Sequence, residues 1–106
     1  MQRGDLVTVS LPGAYGKPRP ALVIQSDLLD ELQSVMVCPI TSELRNALFR
    51  VTVEPNPANG LQKISQVMAD KITTLPRART SEPIGALDGE RMKAVDRALL
   101  LVTGLI

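Results

Sequence analysis

The chain alternates between short apolar runs and turn-rich polar stretches, and the period within each run predicts its element. "DLVTVSL" (Asp5 to Leu11) sets Leu6, Thr8 and Ser10 against Val7, Val9 and Leu11, the two-residue period of a strand. "PGAYGKPRP" follows with two Gly and three Pro. It reads as an extended loop in which Pro18 and Pro20 bias Lys17 and Arg19 toward β or polyproline backbone. "ALVIQS" (Ala21 to Ser26) is a near-continuous apolar run, the pattern of a strand buried on both faces. "DLLDELQ" has room for one or two helical turns behind Ser26 or Asp27 as N-cap. "VMVCPI" (Val35 to Ile40) is a further apolar strand, and Pro39 near its end points to a sheet edge or a bulge. "LFRVTVEP" alternates cleanly from Leu48 to Pro55. "NPANGLQK" is turn-rich, with Asn59-Gly60 as the expected hairpin tip. "SQVMADKITTLP" (Ser65 to Pro76) reads as one strand, and "ARTSEPIGAL" as a connector.

The last segment changes period. "DGERMKAVDRALLLVTGLI" places Met92, Val95, Leu99 and Val102 at helical spacing, with Glu90, Arg91, Lys93, Asp96 and Arg97 on other faces. Asp88 supplies an N-cap and Gly104 a terminator, so an amphipathic C-terminal helix is expected. Several strands and one late helix predict a mainly β (α+β) chain, a small antiparallel barrel or curved sheet.

Composition narrows this picture. The chain has 106 residues, enough for one domain with a modest core. Tyr15 and Phe49 are its only aromatics, so the core is aliphatic, and binding of single strands through many stacked aromatics is disfavoured. A formal net charge of +1 means that nucleic-acid binding has to come from a local patch. One cysteine, Cys38, excludes an intrachain disulfide, and with no histidine at all a zinc site is not expected. Cys38 lies within an apolar strand, the setting of a structural thiol. Neither a signal-peptide core nor a membrane-length apolar run is visible, so a soluble intracellular domain is expected.

The absent histidine also removes the commonest general acid and base. What remains for chemistry is a set of charged and hydroxyl side chains at strand ends. Arg19 opens one core strand, and Thr41 with Ser42 closes another in "PITS". On adjacent strands of opposite direction, a guanidinium and a hydroxyl share one rim and suit a phosphate or other oxyanion. Lys17 adds a mobile positive charge in the same loop. The ordinary alternative is that Arg19 is a solvated loop residue and "TS" a turn.

In order along the chain, "RGDLVTVSLP", "KPRPALVIQSD", "VMVCPITS" and "SQVMADKITTLP" resemble the MazF/PemK family of toxin endoribonucleases, and the late helix stands where that family has one. The resemblance covers nearly the whole chain. It implies a single toxin domain over residues 1–106 with the CcdB/MazF-like fold, a small SH3-like antiparallel β-barrel with a C-terminal amphipathic helix. It implies the toxin of a type II toxin–antitoxin system, acting in the cytoplasm as a sequence-specific, metal-independent endoribonuclease on single-stranded RNA, often mRNA. The implied partners are this RNA, a cognate antitoxin and a second copy of the chain, with no cofactor, metal or membrane.

Carried over by position, Arg19 matches the arginine of "RPALV" and Thr41 the threonine of "PITS", the implied catalytic pair. Lys17, Ser42, Asp70 and Lys71 are the expected substrate contacts. Two departures stand out. "DKITT" has Thr73 where many relatives have an arginine, and the first loop offers Tyr15 and Lys17 where some relatives have a histidine or glutamate. The expected chemistry is internal attack by the ribose 2′-OH, with Arg19 and Thr41 stabilising charge on the phosphorus oxygens. Asp70 and Glu43 are the two candidate general bases. The same barrel also admits a non-catalytic gyrase poison like CcdB and an inactive SH3-like binding module.

Overall fold

The computed structural model describes residues 1–10 and 17–106. The end of the expected first strand at Leu11, and Tyr15 of the following loop, lie outside the described residues. The described chain runs β1 (Asp5–Val9), β2 (Arg19–Val23), β3 (Ser34–Thr41), β4 (Arg50–Val53), β5 (Ser65–Met68), β6 (Thr73–Pro76), β7 (Gly85–Ala86) and α1 (Gly89–Thr103). Every strand pairing is antiparallel, in the order β4-β5-β3-β2-β1-β7, with β6 also on β3. After β6, a short turn at Arg77–Arg79 leads to Thr80, which bridges Val9 of β1. The Ser81 and Ile84 N–H groups then donate to the Thr8 and Leu6 carbonyls. The sheet thus curls round toward its own beginning, in keeping with the small antiparallel barrel or curved sheet expected from the sequence.

The three central strands are buried on both faces, and residue parity decides which core each side chain enters. Val7, Val9, Ala21, Val23, Val35 and Val37 point inside the curl and meet Leu75 of β6. Leu6, Leu22, Ile24, Cys38 and Ile40 point the other way, toward β4, β5 and the helix residues Val95 and Ala98. A run such as "ALVI" is apolar without alternation because each of its faces has its own core.

Three expectations are revised. Ser65 to Pro76 is not one strand. A 3-10 turn at Ala69–Lys71 divides it, and its two halves pair with successive parts of β3. Ala69 is fully buried there, and its N–H donates to the Phe49 carbonyl at 3.2 Å. Pro39 is not at a sheet edge, because β3 is a central strand. It lies between Val37, paired with Thr73 of β6, and Ile40, paired with Val67 of β5. A residue without an N–H is tolerated at this change of partner, where no ladder bond is lost. Nor is Asn59 an exposed tip. It is buried, donating to the Glu54 carbonyl at 2.9 Å and accepting from the N–H groups of Asn56 and Leu61 at 3.1 and 3.0 Å. Gly60 beside it has φ +70°.

Helix α1 starts at Asp88, whose carboxylate accepts from the Arg91 N–H at 2.8 Å, and ends at Gly104 in the left-handed region. Its deepest residues are Val95 and Ala98, with Met92 and Leu99 partly buried beside them. Leu100, Leu101, Leu105 and Ile106 stay exposed.

Candidate functional site

The β2–β3 ladder ends at Ala21 and Pro39. The N–H of Ile24 donates to the Met36 carbonyl at 3.1 Å, so even-numbered residues of β3 turn their backbone groups toward β2. The next such pair in this register is Pro20 with Ile40, and a proline has no N–H to give. The strands part at that point. Carrying the register one residue further sets Arg19 across from Thr41 at the mouth of the gap. The proline that follows Arg19 is therefore part of what makes room for a ligand beside it.

The gap widens into a groove of about 760 Å³. Arg19, Thr41, Ser42 and Glu43 line one part of it, and Gln62 and Lys63 of the β4–β5 loop line another. Thr41 is half-buried. Its Oγ1 accepts the N–H of Glu43 at 3.0 Å, which fixes the hydroxyl while leaving its proton free to donate to an anion. Among the described residues the ion pairs are Arg3–Asp96, Arg50–Asp70 and Arg91–Glu90. None of these engages Arg19, Lys63 or Glu43, so the charges of the groove face solvent uncommitted.

The segment after Thr41 is pinned from below. The buried side chain of Gln66 accepts the Arg45 N–H at 2.9 Å and donates to the Arg45 carbonyl at 2.9 Å and to Thr52 Oγ1 at 3.1 Å. On the other side, Gly60 approaches Ile84 so closely that a Cβ at residue 60 would stand 2.3 Å from the Ile84 carbonyl oxygen. That contact seats the loop carrying Gln62 and Lys63.

The structure brings Arg19, Thr41 and Ser42 together in the groove. Lys17 is exposed, two residues before Arg19, and is not part of the groove lining. Asp70 and Lys71 lie in the 3-10 turn between β5 and β6 and are not part of the groove lining. Asp70 is engaged there: Arg50 Nε and its terminal nitrogen donate to the two carboxylate oxygens at 2.9 and 3.2 Å. Burial pushes the Asp70 carboxyl up, but its hydrogen bonds and the neighbouring charges of Arg50 and Lys71 outweigh this and hold it below the usual aspartate range. Asp70 is thus a doubly bonded carboxylate that does not line the groove, although Met68 two residues before it does. Sequence reading missed Lys63, Gln62 and Gln66, because a loop lysine and two glutamines carry no periodic signal before the loop is folded over the strands.

The Cys38 thiol is buried and pushed up to about 12, first by burial and then by the charge of Asp70, with Arg3 acting weakly against them. It stays a neutral core group. Among the described residues, no three His, Cys, Asp or Glu side chains are grouped so as to hold a metal ion.

A family model described as the PemK-like, MazF-like toxin of type II toxin-antitoxin systems matches residues 2–103. The chain is 46% identical to a probable endoribonuclease MazF of Mycolicibacterium smegmatis, over 99% of this chain and 98% of the relative. It is 30% identical to endoribonuclease EndoA of Bacillus subtilis, over 100% and 97%. Among solved structures, a MazF toxin of Mycobacterium tuberculosis superposes with TM-score 0.82 at 27% identity, over 94% of this chain and 96% of that one. MazF from a MazE-MazF crystal structure of Deinococcus radiodurans superposes with TM-score 0.78 at 27% identity, over 98% and 95%.

Proposed function

This chain belongs to the PemK-like, MazF-like toxin family of type II toxin-antitoxin systems, and from that premise we propose that it cleaves RNA in the groove between Arg19 and Thr41. It is the toxin of such a system and an endoribonuclease, with RNA as substrate and a cognate antitoxin as protein partner. The toxin domain is the single unit 1–106. Its site of action is the cytoplasm, and among the described residues no helix is long and apolar enough to cross a membrane.

One observation supports the site above the others. A guanidinium with no ion pair among the described residues and a hydroxyl whose proton is not given to any of them line one groove, at the point where the β2–β3 ladder opens. A phosphodiester seated there meets the planar fork of Arg19 and the donor of Thr41. Ser42 contributes a further donor, while Lys17 and Lys63 hold the strand on either side. The ribose 2′-OH next to the scissile phosphate is the nucleophile. Held in line, it attacks intramolecularly, so no external water has to be activated. As charge grows on the phosphorus oxygens, Arg19 and Thr41 stabilise it from fixed positions. Asp70 and Lys71 take no part in this scheme.

A CcdB-like gyrase poison or an inactive binding module would leave the Arg19–Thr41 rim without a task, and the relatives that share this chain's full length are named as endoribonucleases. The test is cleavage of a mixed single-stranded RNA pool in excess EDTA. Cleavage is expected to persist and to leave a 2′,3′-cyclic phosphate (or its opened 3′-phosphate) and a 5′-OH. A substrate with one 2′-deoxy sugar 5′ to the cut is expected to bind and stay intact there. Cleavage of that substrate, or 5′-phosphate products, would rule out internal attack.

A further inference from the structure

Internal attack needs a group to take the 2′-OH proton, and we propose that this group is Glu43. The inference rests on the reading of the groove as the cleavage site. Among the described residues that line the groove, the ionisable ones are Arg19, Glu43 and Lys63. Guanidinium and ammonium groups are already protonated at neutral pH, so Glu43 alone offers a proton acceptor there. The chain has no histidine to do so, and Asp70 does not line the groove and is held by Arg50 through both carboxylate oxygens.

Position supports the same role. The Glu43 N–H donates to Thr41 Oγ1 at 3.0 Å, so the backbone of Glu43 is tied to the hydroxyl that meets the phosphate. A carboxylate one side-chain length from that point reaches the ribose joined to the same phosphate. Glu43 is also free: it forms none of the ion pairs found among the described residues, although Arg19 and Lys63 line the same groove. An unpaired carboxylate in a groove that binds a polyanion repels its ligand. A proton acceptor needs that freedom, because a carboxylate locked to a guanidinium is a weaker base.

In the step, the Glu43 carboxylate removes the 2′-OH proton while the 2′-oxygen bonds to phosphorus. The phosphorus–O5′ bond breaks, and its electron pair leaves with the 5′-oxygen, which takes a proton from a solvent water. The resulting hydroxide is neutralised by the proton that Glu43 releases to solvent, restoring the carboxylate.

Single-turnover cleavage by Glu43→Gln, compared with wild type across pH, tests this. The wild-type rate should level off once the carboxylate is ionised. The E43Q rate should be lower by about 10²-fold or more at neutral pH and should keep rising with pH, as hydroxide replaces the missing base. Binding of the 2′-deoxy substrate should be equal to wild type or tighter, since a repulsive charge is gone. E43Q cleaving at the wild-type rate with the same plateau would overturn the proposal. So would a loss that appears only as weaker binding of the deoxy substrate or as an altered base preference, which would make Glu43 a reader of base edges. Wild-type protein that cleaves no RNA would instead overturn the groove reading, and this proposal with it.

Discussion

At the residue scale, what matters is whether a charge is already spent. Arg19 and Arg50 are both strand-end arginines, yet Arg50 is buried against Asp70, with the Phe49 ring 5.9 Å from its guanidinium carbon, while Arg19 stands open to a groove. Arg19→Lys should lower RNA cleavage by about 10²–10³-fold, because a point charge does not replace a planar fork at the transition state. Measured rates equal to wild type would remove Arg19 from the site. Asp70→Ala should behave oppositely, leaving cleavage within a few-fold of wild type while costing about 1–2 kcal/mol of stability. That figure is below the cost of breaking a fully buried pair, since 27% of the Asp70 side chain is still exposed. The Asp70 carboxyl titrates lower in the folded chain than in the unfolded one. Its contribution is therefore complete above the ordinary aspartate range and is lost as pH falls through the folded value. Urea unfolding should show a gap between wild type and D70A at neutral pH that closes in strong acid. A gap independent of pH would mean that the pair contributes through packing alone.

At the element scale, the groove exists because ladders stop. Pro20 ends the β2–β3 ladder, and Pro39 sits where β3 changes partner from β6 to β5. The opposite wall is seated by a close approach at Gly60, whose φ is +70° and where an added Cβ would run into the Ile84 carbonyl oxygen. Gly60→Ala should cost about 1–3 kcal/mol through backbone strain. It should also weaken RNA binding, because the loop carrying Lys63 must shift. Thermal unfolding and binding of the 2′-deoxy substrate report the two effects separately. An unchanged melting temperature would show that the loop relaxes without strain.

At the scale of the whole molecule, the helix leaves unfinished business. Leu105 and Ile106 are 73% and 74% exposed, and Leu99, Leu100 and Leu105 border a second, apolar groove of about 380 Å³ with Met36 and Ile72. A chain with so small a core has little reason to leave this much aliphatic surface in water. A homodimer burying this face is expected, with light scattering at micromolar concentration giving twice the 11.5 kDa of one chain. Leu100→Asp should shift it to the monomer. A wild-type mass of 11.5 kDa would refute the dimer.

Local pattern by itself determined the first four strands, the helix with both its caps, and the two-sided burial of "ALVI". Each of these follows from the period of apolar residues and the backbone preferences of Asp, Gly and Pro, which act within a few residues of one another. The proposed catalytic pair, Arg19 and Thr41, was legible only through the family resemblance of "RPALV" and "PITS". What the sequence left open was adjacency. Whether Asp70 or Glu43 lines the groove depends on how the segments around β3 fold. That is decided by the 3-10 turn that breaks Ser65 to Pro76 and by the Arg50 that captures Asp70 from twenty residues away. Lys63 enters the site only because buried Asn59 and Gly60 fold its loop against Ile84. These are long-range contacts made when the sheet curls, and no short window of sequence contains both partners.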